Sequence, residues 1–134
     1  MNNFLPIKNK KIGILGAGLS GLAAAELAYK LDANVFISDF NKKNKIKIDG
    51  IESEFGKHSD KILDSDLIIK SPGIPRKSKI MKSICNSSIP IVSELEFASW
   101  FTNSPIIAIT GSNGKTTTTS LLYNIFLETS INAY

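Results

Sequence analysis

The chain has 134 residues, 43% hydrophobic and 21% charged, a balance that excludes a disordered or fibrous protein and fits about one globular domain. Its net charge of +4 rests on 16 basic residues, all lysine except Arg76, without the arginine clusters and interleaved aromatics of a nucleic-acid surface, so no nucleic-acid partner is expected. Cys85 is the only cysteine, which excludes an internal disulfide and suits a reducing compartment. Met1 to Lys10 lacks the apolar core of a signal peptide, and no run approaches about 18 apolar residues. The expectation is a cytoplasmic protein with no membrane insertion.

Taken in order, the first informative stretch is residues 11–40. Lys11-Ile12-Gly13-Ile14-Leu15 reads as a short apolar strand, followed at once by Gly16-Ala17-Gly18-Leu19-Ser20-Gly21. Leu22 to Leu31 is rich in alanine and leucine at helical spacing, and Asn34 to Ser38 is a second strand with Asp39 at its end. Three glycines spaced G-x-G-x-x-G between strand and helix, with an acidic residue closing the next strand, form the fingerprint of a nucleotide-binding βαβ unit. Gly16 permits the tight turn, Gly18 lets a phosphate approach the backbone, and Gly21 allows close helix–sheet packing. The fold expected from this is a Rossmann-like α/β domain with a mostly parallel sheet. Read from the residues alone, the ligand is a dinucleotide, with Asp39 accepting from a ribose hydroxyl.

The middle of the chain carries less chemistry. The basic run Lys42 to Lys47 reads as a solvated loop, Ile62 to Asp66 as a short helical turn, and Leu67 to Lys70 as a strand. Ser71-Pro72-Gly73-Ile74-Pro75 is then a turn by its Pro-Gly pair. His58 reads as an exposed structural histidine without a catalytic partner. Ser78 to Asn86 is expected to be a helix that turns Ile80, Met81, Ile84 and Cys85 inward, with Cys85 a buried structural thiol. Ile89 to Val92 is expected as a strand and Ser93 to Phe101 as an amphipathic helix opened by a Ser93/Glu96 capping box. Glu94 and Glu96 stand two apart, do not share a helix face, and are assigned to capping and to the surface.

Thr102-Asn103-Ser104-Pro105 is the one linker, dividing a domain over residues 1–103 from a second unit over 104–134. That unit opens with an apolar strand, Ile106 to Ile109, and passes through Thr110-Gly111-Ser112-Asn113-Gly114-Lys115-Thr116-Thr117 into a helix running to about Glu128. Leu121, Leu122, Ile125 and Phe126 form its apolar stripe, and Ile131 to Tyr134 begins a further strand. A glycine turn leading into a helix that opens with lysine and hydroxyl residues is the layout of a phosphate-binding loop. Gly111, Ser112, Asn113, Gly114, Lys115, Thr116 and Thr117 are its candidate ATP-binding residues. Lys115 is placed at the β/γ-phosphates as the catalytic cation, and the Thr116 hydroxyl on Mg²⁺. The general pattern G-x-x-x-x-G-K-[ST] is not met, because Ile109 stands where its first glycine belongs. The bland alternative is a polar helix start that happens to carry a lysine.

Residues 110–117 resemble the ATP loop of the Mur ligase family, T-G-[ST]-N-G-K-[ST]-[ST], at every position, and that loop also lacks the first glycine. Folylpolyglutamate synthases share a similar loop. The turn at residues 16–21 is similar to the G-x-G-x-[ST]-G of the family's D-glutamate-adding branch, in which the first domain holds the uridine end of a cell-wall precursor. Ser71-Pro72-Gly73-Ile74 and Glu94-Leu95-Glu96-Phe97 match further segments of that branch. The resemblance implies that Gly16, Gly18, Leu19, Ser20, Asp39 and Ser71 hold the UDP precursor. After the acidic residue the family often has a small hydroxyl residue and an arginine; here Phe40 and Asn41 stand there, and Lys42 or Lys43 is the expected replacement for that diphosphate contact.

The activity implied is an ATP- and Mg²⁺-dependent amide ligation of peptidoglycan synthesis, joining D-glutamate to UDP-N-acetylmuramoyl-L-alanine through an acyl phosphate. Both substrates are small molecules, and no obligate protein partner is expected. The family's Mg²⁺-binding glutamate, its histidine and its carbamoylated lysine have no counterpart here. The chain is therefore expected to be the N-terminal portion of the enzyme and inactive alone, its last 30 or so residues being too few to bury a sheet. The alternatives are a fragment of an NAD- or FAD-binding oxidoreductase, which leaves the second loop unexplained, and a non-catalytic nucleotide-binding module.

Overall fold

The computed structural model of the chain describes residues 6–43 and 48–132. Five parallel strands form one sheet: β1 (Lys11–Leu15), β2 (Asn34–Asp39), β3 (Glu52–Phe55), β4 (Leu67–Lys70) and β5 (Ile91–Ser93), in the order β3-β2-β1-β4-β5. Between the strands lie α1 (Leu19–Lys30), a 3₁₀ turn (Asp60–Asp64) and α2 (Lys79–Asn86), and α3 (Glu94–Ser99) follows β5. The chain steps outward from β1 to β3, returns past β1 to β4, and proceeds to β5. This order is that of a doubly wound nucleotide-binding fold, in which the crevice lies at the carboxyl ends of the strands where the order reverses. Here that point lies between β1 and β4.

Side chains alternate across the sheet, so each strand feeds two cores. On one face Ile12, Ile14, Val35, Ile37, Leu67 and Ile69 meet Ala24, Ala25 and Ala28 of α1 and Phe97 of α3. On the other, Leu15 and Ile68 meet Ile62 of the 3₁₀ turn and Ile80, Met81 and Ile84 of α2. Burial of each such large side chain contributes about 1.5–3 kcal/mol. Strands covered on both faces are apolar throughout, which is why β1 and β4 are plain in the sequence.

Several boundaries differ from expectation. The first helix begins at Leu19 and not Leu22, so the glycine triplet runs into the helix itself. The fifth strand is shifted to Ile91–Ser93, with the Pro90 carbonyl accepting from Ile68 N–H at 2.9 Å, and α3 ends at Ser99. The third strand was not foreseen: Glu52-Ser53-Glu54-Phe55 is polar because it is the edge, with only one neighbour and partial cover. Cys85 is exposed, contrary to its assignment as a buried thiol. On an α-helix Ile80, Ile84 and Met81 span one arc of about 100°, and residue 85 falls beyond its rim.

The chain divides into two compact units, residues 1–102 and 103–134. In the second, α4 (Lys115–Glu128) forms as expected, and none of its residues is buried. Residues 106–109 are not a strand. A strand needs a neighbour for its N–H and C=O groups, and the described residues of this unit contain no other strand. Ile106 is 59% exposed. Of the expected strand at the end, Ile131 and Asn132 are not extended ladder residues, and Ala133 and Tyr134 lie outside the described residues, as do residues 44–47 of the basic run.

Candidate functional site

The glycine loop between β1 and α1 is locked by close approaches. Gly16 has φ +109°, and a Cβ there would stand 2.7 Å from Ser71 Oγ. A Cβ on Gly21 would stand 2.1 Å from the Gly16 carbonyl oxygen, so the first turn of α1 rides directly on the loop. Around Gly18 a Cβ would meet nothing within 4 Å, which leaves that stretch of backbone approachable. Gly18 is also the N-cap of α1 and gives it no side-chain cap. The first N–H groups of a helix lack intrahelical partners, and they form a natural seat for an anion. Leu19 follows Gly18, 92% exposed.

Asp39, at the end of β2, is buried and holds the loop from below: Oδ2 accepts Ala17 N–H at 2.7 Å, and Oδ1 accepts Asn41 N–H at 2.7 Å. Beyond Asp39, the Asn41 side chain accepts Lys43 N–H at 3.0 Å, and the Lys42 stem lies across Gly56. Asp39, Phe40, Asn41 and Lys42 form one wall of a crevice of about 650 Å³, whose other lining includes His58 and the Gly73–Pro75 turn after β4. Ligand sites fall at about 300–1,000 Å³. A second cavity of about 190 Å³ lies at the opposite, N-terminal ends of β1 to β3, away from the glycine loop.

Two assignments made from the sequence need correction here. Glu94 is not a surface residue: it is buried at the start of α3, and Oε1 accepts Ser20 Oγ–H at 3.1 Å together with the Ser71 hydroxyl. One carboxyl group thus ties the glycine loop at the start of α1 to the Ser-Pro-Gly turn. A hydroxyl has a single proton, so Ser20 and Ser71 in this arrangement turn lone pairs, not protons, to anything beyond Glu94. Glu96, by contrast, is exposed, and its N–H donates to Ser93 Oγ at 3.1 Å, the expected cap. His58 is likewise not an isolated exposed ring. It is half-buried, with Nδ1 2.8 Å from Ser38 Oγ, and Ser38 also donates to Glu54 Oε1 at 2.8 Å.

In the second unit the loop before α4 has Gly111 at φ +153° and Gly114 at φ +78°. The Lys115 ammonium donates to the Gly111 carbonyl, so the side chain curls over its own loop. Ser112, Asn113, Thr116 and Thr117 are exposed. The residues fit a triphosphate: positive-φ glycines, the start of a 14-residue helix and a lysine converge on one turn. For Mg²⁺ they offer the Thr116 hydroxyl. No group of three or more His, Cys, Asp or Glu able to hold a metal occurs among the described residues.

A family profile described as the MurD N-terminal domain matches residues 11–80, from β1 through the Ser-Pro-Gly turn into α2. The chain belongs to the MurD N-terminal domain family. Among its relatives is a UDP-N-acetylmuramoylalanine--D-glutamate ligase of Christiangramia forsetii, 48% identical over 130 residues, covering 92% of this chain and 29% of that protein. Proteins of the same name from Chloroherpeton thalassium (42%, covering 90% and 27%) and Bacteroides fragilis (45%, covering 92% and 29%) are also similar. The chain thus spans under a third of the length of the curated relatives it matches. The crystal structure of UDP-N-acetylmuramate-alanine ligase MurC from Thermotoga maritima shares the fold, with a TM-score of 0.56 at 24% identity over 88% of this chain and 29% of that one.

Within this MurD N-terminal domain, the structure brings Gly16, Ser20, Ser71 and Asp39 together through the bonds and contacts given above. Two residues of the same neighbourhood, Glu94 and Ser38, were not singled out for it from the sequence. A polar residue at the start of a helix that follows a parallel strand lies at the carboxyl edge of the sheet, and that placement is the signal that could have found Glu94. No helix among the described residues is long and apolar enough to cross a membrane.

Proposed function

We propose that this chain is the uridine-precursor-binding domain and the ATP loop of a cytoplasmic, ATP-dependent ligase that joins D-glutamate to UDP-N-acetylmuramoyl-L-alanine in peptidoglycan synthesis. The observation that carries the reading is the crevice of about 650 Å³ at the carboxyl edge of β2 and β4, walled by Asp39–Lys42 and Gly73–Pro75. The family membership and the names of the relatives support the choice of ligand. Main-chain N–H groups from Gly18 to Ser20 receive the diphosphate, and Lys42 on the crevice wall supplies the cation that Asn41 does not. Asp39 orients the uridine end while it holds the glycine loop through Ala17.

In the second unit the loop Gly111–Thr117 cradles the ATP phosphates. Lys115 leaves its own Gly111 carbonyl to stabilise the charge of the transferring phosphoryl group, the role for which a positioned cation is effective. The Thr116 hydroxyl would hold a Mg²⁺ ion, which would supply further charge neutralisation there. The phosphoryl acceptor is the alanine carboxylate of the precursor, and the amine of D-glutamate then displaces phosphate to form the amide.

A thermal-shift series tests the ligand choice. UDP-N-acetylmuramoyl-L-alanine at about 100 times its dissociation constant adds about 2.7 kcal/mol to a protein that binds it, while NAD⁺ adds nothing. Stabilisation by NAD⁺ alone would overturn the uridine assignment in favour of an oxidoreductase domain.

A further inference from the structure

The crevice wall built by β2 and β3 carries a hydrogen-bond relay with a fixed direction. Ser38 Oγ, fully buried, lies 2.8 Å from Glu54 Oε1 and 2.8 Å from His58 Nδ1. Glu54 also accepts Ser59 N–H at 2.8 Å. Burial raises the Glu54 carboxyl, but hydrogen bonds from Ser59 and Ser38 and the charge of Lys57 outweigh it, so its pKa lies below the ordinary value. It is therefore an ionised, acceptor-only group at neutral pH. Ser38 has one proton, and Glu54 receives it. The remaining contact of Ser38 Oγ is then an acceptor of Nδ1–H from His58.

In a neutral imidazole, a proton on Nδ1 leaves Nε2 as an acceptor. His58 lines the crevice, its ring 6.0 Å from that of Phe40, and Nε2 has no hydrogen-bond partner among the described residues. Burial lowers the ring's pKa below its ordinary 6.5, against the opposing charges of Asp39 and Glu54, which keeps the neutral form at neutral pH. Among the described residues, Asp39 at the end of β2 and Glu54 on β3 are the charges acting on the ring; Lys42 shares its crevice wall, and Lys57 and Asp60 neighbour it along the chain.

We propose that His58 is a specificity-determining residue whose Nε2 accepts a hydrogen bond from the crevice's occupant, which must therefore present an N–H or O–H donor at that point. This rests on the reading of the crevice as a uridine-nucleotide site, where the donor is the uracil N3–H or a ribose hydroxyl.

The chain has one histidine, so its ring nitrogens can be observed by ¹⁵N NMR without assignment ambiguity. The probe is UDP-N-acetylglucosamine, whose diphosphate diester does not titrate near neutrality. The expected spectrum has Nδ1 protonated and Nε2 bare in the free protein, with the Nε2 resonance moving on saturation. Affinity should be flat above neutrality and then fall by up to about tenfold per pH unit below the ring's pKa, as one-proton linkage requires. His58→Phe should weaken binding about three- to tenfold, the worth of one hydrogen bond, and remove the pH dependence. An N3-methyl or a deoxyribose analogue should reproduce that loss, identifying which donor is read. An Nε2-protonated ring in the free protein, an Nε2 resonance unmoved at saturation, undiminished affinity in His58→Phe, or no loss with either analogue overturns this inference alone. Failure of any uridine nucleotide to bind overturns the reading of the crevice, and this inference with it.

Discussion

The two units hold the same device, a glycine turn feeding a helix start, in opposite settings. In residues 1–102 the turn is fixed by Ser71 against Gly16, by Gly16 against Gly21, by Asp39 on Ala17 N–H, and by Glu94 across Ser20 and Ser71. In residues 103–132 the turn Gly111–Gly114 is joined to an exposed helix and to a stretch that has no strand partner among the described residues, and its lysine binds its own loop. The local chemistry of an anion seat can thus be written in about eight residues, but its rigidity cannot. That comes from a sheet, and a site needs its groups held within about 0.5 Å.

The largest expected effect separates the two units by function. In the full-length enzyme, Lys115→Ala should lower ligation by about 10²–10³, or roughly 2.7–4 kcal/mol of transition-state stabilisation. Binding of the uridine precursor, measured by calorimetry, should be unchanged. Near-normal turnover would reduce the second loop to a helix cap.

Next comes the contrast between glycines. Gly21→Ala forces a methyl against the Gly16 carbonyl and should cost about 1–3 kcal/mol in denaturant unfolding, with loss of uridine binding. Gly114→Ala meets no neighbour, only the strain of φ +78°, and should leave the unfolding of the first unit unaltered. Equal effects at the two positions would break the comparison.

Glu94 and Glu96 make a finer test within one helix turn. Glu94→Ala leaves the Ser20 and Ser71 hydroxyls without their shared acceptor and should cost about 1–3 kcal/mol. Glu96→Ala, on the exposed side, should stay within about 0.5 kcal/mol of the parent.

These pairs also mark what was legible in the sequence. The βαβ fingerprint, the strands covered on both faces and the turn chemistry are local or periodic signals, and from them the parallel sheet and the position of its crevice follow. Edge strand β3 was hidden because its residues, Glu52-Ser53-Glu54, are polar where the sheet ends. Cys85 was misplaced by one step of helix phase. Glu94 and His58 took their roles from partners 74 and 20 residues away, Ser20 and Ser38, and no spacing rule connects such positions. Residues 106–109 have a strand's composition without the neighbour that would make them one.

The smallest expected effect is the acid response of the first unit. The charged form of His58 is disfavoured in the fold, so as pH falls below about 6.5 the unfolded chain takes up that proton first and stability declines. The Glu54 carboxyl is depressed below its ordinary 4.5, so its contribution is present above that value and is lost as pH falls through the folded pKa. Both act in the same direction: stability is full at neutral pH and drops in two stages on acidification. His58→Phe should remove the upper stage in a pH series of denaturant melts while leaving the lower one.

Hydrogen exchange on the chain, with and without UDP-N-acetylmuramoyl-L-alanine, tests the division of labour most directly. The expected result is slow exchange in β1, β2 and β4, additional ligand protection at residues 16–20, 39–42 and 71–74, and fast, ligand-independent exchange across 106–127. Slow exchange throughout 106–127, together with ATP turnover by this chain alone, would contradict it.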